Sequence, residues 1–336
     1  MALPANALGV SPVFTRRSRL QTMVNTQEQH PAEPATMTTP RPIIAAVVRS
    51  VCGGEVEQLV QLTHGGMNET YRVQVGHGRT VVVRIARQPV AWFTQEESIM
   101  AQARSVGVPT PDVLGVKHVE HDGELLSFSV LQCVPGRALS ELADGLSASE
   151  LKRLLMDSGE LLARLHSVAP GQGGIQHTLR PPEEHLVARG MHIADQVCGP
   201  AAAAIVERGA KRLHNEVITR PTPKHSLAHG DWLPKHILID DNSGAIVSII
   251  DWEFAGQAPP AFDLAHWELS AGDPLHHRSD LLRLGYARVA DPDAADAGWV
   301  PAYVIDFALD MLGWRNPASS QQIQRCVEVM ARYIDG

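Results

Sequence analysis

Apolar and polar residues alternate along much of the first half of the chain, with the period of two that β-strands show. Five such runs are rich in Val, Leu, Ile and Thr, as strands usually are. They are VEQLVQLTH (56–64), ETYRVQV (69–75), RTVVVRIA (79–86), PDVLGVKHV (111–119) and LLSFSVLQCV (125–134). The short link at 76–78 predicts a hairpin between the second and third runs. Between the third and fourth, residues 94–105 predict a helix with Thr94 as N-cap and acidic residues in its first turn.

Beyond Gly136 the apolar residues recur at helical spacing instead. The strongest prediction is a helix over 147–166, where Ser147 and Glu150 have the spacing of a capping box and leucines line one face. Further helices are predicted near 43–52, 183–196, 201–217, 274–289, 296–312 and 320–334.

One strand pair interrupts this helical part. The runs HILID (236–240) and AIVSIID (245–251) are joined by a turn at 241–244. The whole pattern predicts an α+β fold: a small N-terminal lobe, 42–134, made of an antiparallel sheet with one helix, and a larger, mostly helical C-terminal lobe, 135–336.

Composition narrows the classes of partner. The 336 residues are 44% apolar and 20% charged with a formal net charge of -8, so nucleic acid is not an expected partner. No apolar run approaches the ~20 residues that span a bilayer, so a membrane is not expected either. Four widely spaced cysteines without a CxxC pair fit a reducing, cytoplasmic location. Residues 1–41 are interpreted as a disordered N-terminal extension, with a transit peptide as the alternative.

The stretch AHGDWLPKHILID (228–240) concentrates residues that can do chemistry. A zinc site is one interpretation, but nearby prolines prevent the regular helix that would align two of its ligands. Its ligands would be His225, His229, Asp231 and His236. The other interpretation is phosphoryl transfer, which needs a carboxylate to accept the proton of the attacking hydroxyl and hard ligands for a divalent cation. The tripeptide HGD that ends at Asp231, a hairpin, and then Asp251 supply these groups in that order.

The stretches SLAHGDWLPKHILID, SIIDWEFAG and PAFDLAHWE together resemble the aminoglycoside phosphotransferase family, the kinase-like group that includes choline and homoserine kinases. The resemblance extends over roughly residues 50–335 and implies a two-lobed, protein-kinase-like fold. It implies that Asp231 is the catalytic aspartate, that Asp251 binds metal and that Asp263 braces the catalytic loop. His236 stands where the family usually has Asn. This HGDxxxxH form is similar to the catalytic loop of macrolide phosphotransferases, and it makes His236 either a metal ligand or a mark of weakened activity.

The resemblance also implies nucleotide-binding residues in the N-terminal lobe. Arg84, on the third strand, would be the cation at the α- and β-phosphates, where Lys is more usual. Glu96 would pair with Arg84, with Glu97 as the alternative. The remaining expected contacts are the glycine-rich loop residues Gly65, Gly66 and Asn68, and the lobe-connection residues Gln132 and Val134, whose backbone groups would hold the purine edge.

The expected function is therefore a small-molecule O-phosphotransferase that uses ATP or GTP with Mg²⁺, or Mn²⁺. The segment 256–336 holds eleven acidic and six basic residues, which favours a cationic acceptor such as an amino-sugar-like antibiotic of the aminoglycoside or macrolide type. Two alternatives stay open: a metabolic kinase of the same fold, acting on choline, a sugar or an amino alcohol, and a nucleotide-binding pseudokinase. The protein is expected to be a monomer or a homodimer.

Overall fold

The computed structural model describes residues 39–63, 68–76, 78–87, 92–171, 174–269, 275–296, 298–313 and 319–334. Gly65, Gly66 and most of the predicted extension at 1–41 lie outside these residues. The described chain begins at Thr39, whose buried backbone N–H and hydroxyl both donate to the carboxylate of Glu69. The residues just before the first helix are thus tied to the N-terminal sheet.

Five strands form the predicted antiparallel sheet. They are β1 (Val56–Thr63), β2 (Glu69–Val75), β3 (Arg79–Ala86), β4 (Val113–His121) and β5 (Glu124–Gln132), in the spatial order β1-β2-β3-β5-β4. Side chains alternate between the two faces, so β3 directs Val81, Val83 and Ile85 into one buried core. The opposite face of β3 carries Val82, which packs against the core of the helical part, and Arg84.

Two helices accompany this sheet. Helix α1 (Arg41–Cys52) covers the first face, where Ile44 and Val48 are fully buried. Helix α2 (Trp92–Ser105) begins two residues before the predicted start, so Thr94 lies inside its first turn and is not the N-cap, and no acidic residue lies in that turn. The correction has a physical reason: Phe93 is buried, so packing rather than a polar cap anchors the start of α2.

The C-terminal part is mostly helical, as predicted. Its helices are α3 (Leu139–Leu142), α4 (Ala148–His166), α5 (Glu184–Cys198), α6 (Pro200–Thr219), α7 (Ala261–Leu269), α8 (Ser279–Tyr286), α9 (Pro292–Asp296), α10 (Val300–Gly313) and α11 (Ser320–Ile334). The capping box at the start of α4 is confirmed: the Ser147 hydroxyl accepts the Glu150 backbone N–H, and the Glu150 carboxylate accepts the Ser147 backbone N–H.

The C-terminal part also contains two small three-stranded sheets, formed by its short strands. Their strands are β6 (Arg137–Ala138), β7 (Ile175–Gln176), β8 (Ser226–Ala228), β9 (Ile237–Ile239), β10 (Ile246–Ile249) and β11 (Gly256–Ala258). The orders are β10-β9-β6 and β7-β11-β8. The predicted hairpin is β9–β10, and the Asp240 carboxylate organises its turn by accepting the Ser243 backbone N–H at 2.7 Å. The α+β class predicted from the sequence is confirmed. Within the described ranges, no helix has the length and apolar character needed to cross a bilayer.

Candidate active site

Asp231 lies in a loop between strand β8 and a single 3-10 turn at Pro234–His236. Gly230, directly before it, has a φ of 84°, which favours glycine. A Cβ atom at Gly230 would also lie 2.2 Å from the Phe254 carbonyl oxygen. Only glycine lets the Asp231 loop approach the segment that follows Asp251 this closely.

Asp263, from helix α7, braces this loop, as the family resemblance implied. Its Oδ2 accepts the backbone N–H of His229 at 2.9 Å, and its Oδ1 accepts the backbone N–H of Gly230 at 2.8 Å. Burial alone would raise the pKa of Asp263, but the hydrogen bond and charge of His166, together with His229, lower it to about 2. The carboxylate is therefore ionised, and it fixes the backbone immediately before Asp231.

His229 ties the two aspartate-bearing segments together. Its Nδ1 accepts the backbone N–H of Asp231 at 3.2 Å, and its Nε2 donates to the carbonyl oxygen of Ile250 at 3.1 Å. Burial lowers the pKa of His229, which suits a neutral ring with one donor and one acceptor nitrogen. Both nitrogens of His229 are used this way, and the group of possible metal ligands that the described residues form does not include His225 or His229, so the geometry does not support the zinc interpretation.

Three other side chains of the described residues come together as possible metal ligands. Asp231, His236 and Asp251 each offer an atom, and these atoms all lie within 4.8 Å of one another. His236 Nδ1 donates to the Asp231 carbonyl oxygen at 2.8 Å, and its Nε2 lies 3.2 Å from Asp251 Oδ2. Asp251 has a φ of 66°, an uncommon backbone conformation for a residue with a side chain and one that recurs at functional sites.

The ionisation of this cluster is set by its members. Burial alone would raise the pKa of Asp251, but the hydrogen bond and charge of His236 and the charge of Arg84 outweigh it and hold the pKa far below its usual range. Burial alone would lower the pKa of His236, but the Asp251 hydrogen bond and the Asp231 charge raise it overall. Asp251 is thus kept ionised beside His236, which suits a ligand for a cation.

Arg84 connects the sheet to this cluster. Its guanidinium is 2.6 Å from Glu96 of α2, 3.0 Å from Glu253 and 3.7 Å from Asp251. Burial would lower the pKa of Arg84, but Glu96, Glu253 and Asp251 together raise it. Glu96 is therefore the partner of Arg84, and the alternative, Glu97, has an exposed side chain.

A cleft with a volume of about 530 Å³ lies against the same sheet face, within the usual size range of ligand pockets. It is lined by Gln58, Val60, Arg72, Gln74, Gly78, Thr80, Cys133 and Pro135. Thr80 and Arg84 are four residues apart in β3, so the cleft and the Arg84 side chain lie on the same face of the sheet. At the lobe connection the Gln132 backbone N–H already donates to the Asp112 carbonyl oxygen at 2.8 Å. Val134, between two cleft-lining residues, is the better candidate for a purine contact.

Comparison with known proteins agrees with this geometry. A family model described as the phosphotransferase enzyme family matches residues 58–296. The chain belongs to this family. The expected class of enzyme, a phosphotransferase that acts as a kinase, is thereby confirmed.

A curated relative, the uncharacterized protein YcbJ of Bacillus subtilis strain 168, is 27% identical over 165 residues, which are 46% of this chain and 51% of the relative. The chain thus spans about half the length of that curated relative.

Solved structures of kinases resemble this phosphotransferase along most of its length. The thermostable mutant of aminoglycoside phosphotransferase APH(4)-Ia, in complex with ADP and hygromycin B, is 20% identical with a TM-score of 0.60, covering 86% of this chain and 98% of that one. Spectinomycin phosphotransferase APH(9)-Ia, with ADP and spectinomycin, is 13% identical with a TM-score of 0.64, covering 90% and 99%. A protein from Thermobifida fusca, provisionally assigned as a fructosamine-3-kinase, is 19% identical with a TM-score of 0.57, covering 87% and 99%. At these identities the likeness establishes the fold, and the predicted two-lobed, kinase-like architecture is confirmed.

Sequence reasoning missed Glu253 of this phosphotransferase. Its carboxylate accepts from the Asn68 side-chain amide at 2.8 Å and from Arg84 at 3.0 Å. Asn68, predicted to contact nucleotide, therefore bonds to a C-terminal loop in this structure. The available indication was the run DWE, which places Glu253 two residues after Asp251 in the same turn.

His266 was also missed. It lies on α7, one turn beyond Asp263, and its Nδ1 is 3.2 Å from Oδ1 of Asp231. The i, i+3 spacing within FDLAH would have placed it on the face that braces the loop. Lys235, directly before His236, has its Nζ 3.7 Å from Asp231 Oδ2, but its side chain is 55% exposed and such a pair contributes little.

Proposed function

We propose that the protein is a small-molecule O-phosphotransferase that moves the γ-phosphate of ATP or GTP to a hydroxyl of an amino-sugar-like or antibiotic acceptor. The observation that carries the proposal is the convergence of Asp231, His236 and Asp251, whose possible ligand atoms lie within 4.8 Å of one another. Oδ1 of Asp251 lies 3.7 Å from the guanidinium of Arg84. Phosphoryl transfer depends on such an assembly, since its catalysis is mostly positioning and charge stabilisation.

In this proposal, Asp231 aligns the acceptor hydroxyl and accepts its proton as the new bond to phosphorus forms. The braced backbone before Asp231 limits how far that carboxylate can move. Gly230 and Asp263 act here as supports, because the first permits the tight loop and the second holds its N–H groups.

The chemistry of the donor set fits a divalent cation held by Asp251 and His236. His236 donates its Nδ1 proton to a backbone carbonyl oxygen, the usual arrangement for an imidazole whose other nitrogen binds metal. Its Nε2, which faces Asp251 Oδ2 at 3.2 Å, is therefore the nitrogen that would bind a cation, in place of the proton that it shares with Asp251. A bound Mg²⁺ or Mn²⁺ would neutralise charge on the nucleotide phosphates. The nitrogen ligand favours Mn²⁺ more than an amide oxygen would.

Arg84 is proposed to contact the α- and β-phosphates, and Glu96 to hold its guanidinium toward them. The nucleotide would occupy the cleft of about 530 Å³, with the purine edge near Val134. Gly65, Gly66 and Asn68 are the proposed phosphate-loop contacts, the first two lying outside the described residues. ADP in the two similar antibiotic kinases supports a purine nucleotide.

The acceptor is proposed to be cationic and to approach Asp231 from the side of α7 and α10. The acidic excess of the segment 256–336 supports this. The hygromycin B and spectinomycin held by two similar structures support an antibiotic acceptor, which would make the protein a resistance enzyme. A metabolic kinase is the second candidate, and the similar structure assigned to the fructosamine-3-kinases favours it.

An acceptor screen tests the proposal. The purified protein would be incubated with ATP or GTP, Mg²⁺ or Mn²⁺, and hygromycin B, spectinomycin, a macrolide, choline or a fructosamine, and ³¹P NMR would detect phosphorylated acceptor. Phosphate transfer to one acceptor that is lost in Asp231→Ala supports the proposal and names the acceptor class. Unmodified acceptors throughout, with nucleotide still raising the melting temperature, would indicate a nucleotide-binding module instead.

The variant His236→Asn separates an adapted enzyme from a pseudokinase. In an enzyme, replacing the imidazole by an amide oxygen shifts the preference toward Mg²⁺, so the ratio of the rate with Mn²⁺ to the rate with Mg²⁺ falls. In a pseudokinase, the change restores the usual family residue and phosphate transfer increases from background. Steady-state rates with each metal, on wild type and variant, distinguish the two.

A further inference from the structure

Helix α7 places a histidine beside the proposed catalytic aspartate. His266 Nδ1 lies 3.2 Å from Oδ1 of Asp231, and their side chains are 14% and 12% exposed. We propose that His266 is a positioning residue, which holds the Asp231 carboxylate in the orientation that accepts the acceptor's proton. This inference rests on the proposed phosphotransferase function and adds a residue to that site.

The imidazole of His266 is itself held in place by aromatic rings. Phe307 of α10 meets it in a T-shaped arrangement with ring centroids 5.1 Å apart, and Phe262 stacks on it with a 15° interplanar angle at 6.5 Å. A side chain whose own orientation is fixed by packing can position a neighbour more accurately than an exposed one. The Asp231 carboxylate thus has a rigid partner on its Oδ1 side.

The two oxygens of Asp231 have different surroundings. Oδ2 lies 3.5 Å from His236 Nδ1 and 3.7 Å from the exposed Lys235 ammonium. Oδ1 lies 3.2 Å from His266 Nδ1. An ionised carboxylate only accepts hydrogen bonds, so in the proposed role Nδ1 of His266 carries the proton. In the proposed role, His266 favours the rotation of the carboxylate in which Oδ1 faces helix α7 and Oδ2 faces the metal-site side.

The contact is within hydrogen-bonding distance without the alignment of a fully formed bond. Catalytic hydrogen bonds are often misaligned in this way before substrate binds and tighten in the complex. During transfer, the acceptor oxygen bonds to the γ-phosphorus, the bond from the γ-phosphorus to the β,γ-bridging oxygen breaks, and the hydroxyl proton passes to Asp231. His266 keeps its own proton throughout.

Helix α7 would then brace the catalytic loop at two levels. Asp263 holds the backbone N–H groups of His229 and Gly230, and His266, one turn later, holds the side chain of Asp231. Hydrogen bonds to charged groups are among the stronger ones in proteins, so loss of the His266 contact is expected to change the rate roughly 10- to 100-fold.

Kinetics of three variants test the role. His266→Leu removes the donor, His266→Asn keeps an N–H close to the position of Nδ1, and His185→Leu changes a histidine whose side chain is 72% exposed. We expect His266→Leu to lower kcat roughly 10- to 100-fold with little change in the KM for nucleotide, because the loss affects the reacting carboxylate and not nucleotide binding. His266→Asn should recover much of that loss, and His185→Leu should match wild type. Equal kcat for His266→Leu and His185→Leu, or equal losses for the Leu and Asn variants of His266, would overturn the proposal.

A second measurement does not depend on finding the acceptor. In ¹⁵N NMR spectra of the protein, with His266 assigned by the His266→Asn difference, Nδ1 of His266 should carry the proton in wild type and lose this preference in Asp231→Ala. A bare Nδ1 in wild type overturns the role of His266 whatever the enzyme's substrate. A protonated Nδ1 in a protein that phosphorylates no acceptor would instead leave the contact standing and count against the proposed function.

Discussion

Arg84 and the three acidic side chains around it form one group of interacting charges. Arg84 is buried and faces Glu96, Glu253 and Asp251 at 2.6, 3.0 and 3.7 Å. A buried charge is tolerated when it is paired, and removal of one partner leaves the others poorly compensated. The residue that would contact phosphate is thus held by acids from both parts of the chain.

Glu96→Gln tests this set, with Glu97→Gln from the same helix as the matched control. Glu96 is buried at 2.6 Å from Arg84, whereas Glu97 is exposed. We expect Glu96→Gln to lower the free energy of unfolding by about 2–3 kcal/mol, because Arg84 keeps Glu253 as a partner, and Glu97→Gln to change it by less than about 0.5 kcal/mol. Urea denaturation measures both, and equal effects of the two variants would contradict the assigned pairing.

Asp263 gives the stability a dependence on acid pH. The pKa of Asp263 is lowered from its ordinary value of 3.8 to about 2 in the folded protein. When the pKa of an acid is lower in the folded than in the unfolded protein, the ionised acid stabilises the folded state at pH values above its unfolded pKa. This stabilisation disappears as the pH falls through the folded pKa. We expect the difference in unfolding free energy between wild type and Asp263→Asn to shrink by about 2 kcal/mol between pH 4 and pH 2. Chemical denaturation across that range checks it, and a difference that does not vary with pH would count against an ionised brace.

At the scale of elements, close helix packing supports the site from behind. Helix α4 crosses α8 at glycines on both sides, and a Cβ at Gly159 would lie 1.9 Å from the Leu282 carbonyl oxygen. His166, at the end of α4, bonds to Asp263 through Nε2 and to the Tyr286 hydroxyl of α8 through Nδ1. The α4–α8 contact therefore fixes the histidine that supports the loop brace.

Gly159→Ala should separate these helices. The added methyl group overlaps backbone that cannot rotate away, so we expect a loss of at least about 2 kcal/mol in unfolding free energy. The control is Gly190→Ala in helix α5, where a Cβ would meet no atom closer than 3.3 Å and the change should stay within about 1 kcal/mol. Thermal unfolding of both variants separates the loss of helix packing from the gain in helix propensity that any Gly→Ala change brings. A Gly159→Ala variant more stable than wild type would contradict the packing account.

At the scale of the whole molecule, the sheet and the helical part meet at the proposed site. The motifs that carry the family resemblance were sufficient to single out Asp231, Asp251 and the brace Asp263, which the fold brings to one site, while the catalytic role of Asp231 and the metal role of Asp251 stay predictions. Glu253 and His266 could not be found this way, since their contacts join segments far apart in the chain and depend on how α7 and the sheet pack. The start of α2 was misplaced for a similar reason: burial of Phe93, rather than a local cap, decides it.

The central claim is that Asp231 accepts a proton during phosphate transfer, and Asp231→Asn tests it most directly. The amide keeps the shape of the side chain but cannot accept the hydroxyl proton. With an acceptor identified, single-turnover transfer from γ-³²P-labelled nucleotide would be compared with nucleotide affinity in both proteins. The account predicts a rate at least about 100-fold lower in Asp231→Asn with nucleotide affinity within about 3-fold of wild type. Transfer at the wild-type rate in this variant would contradict it.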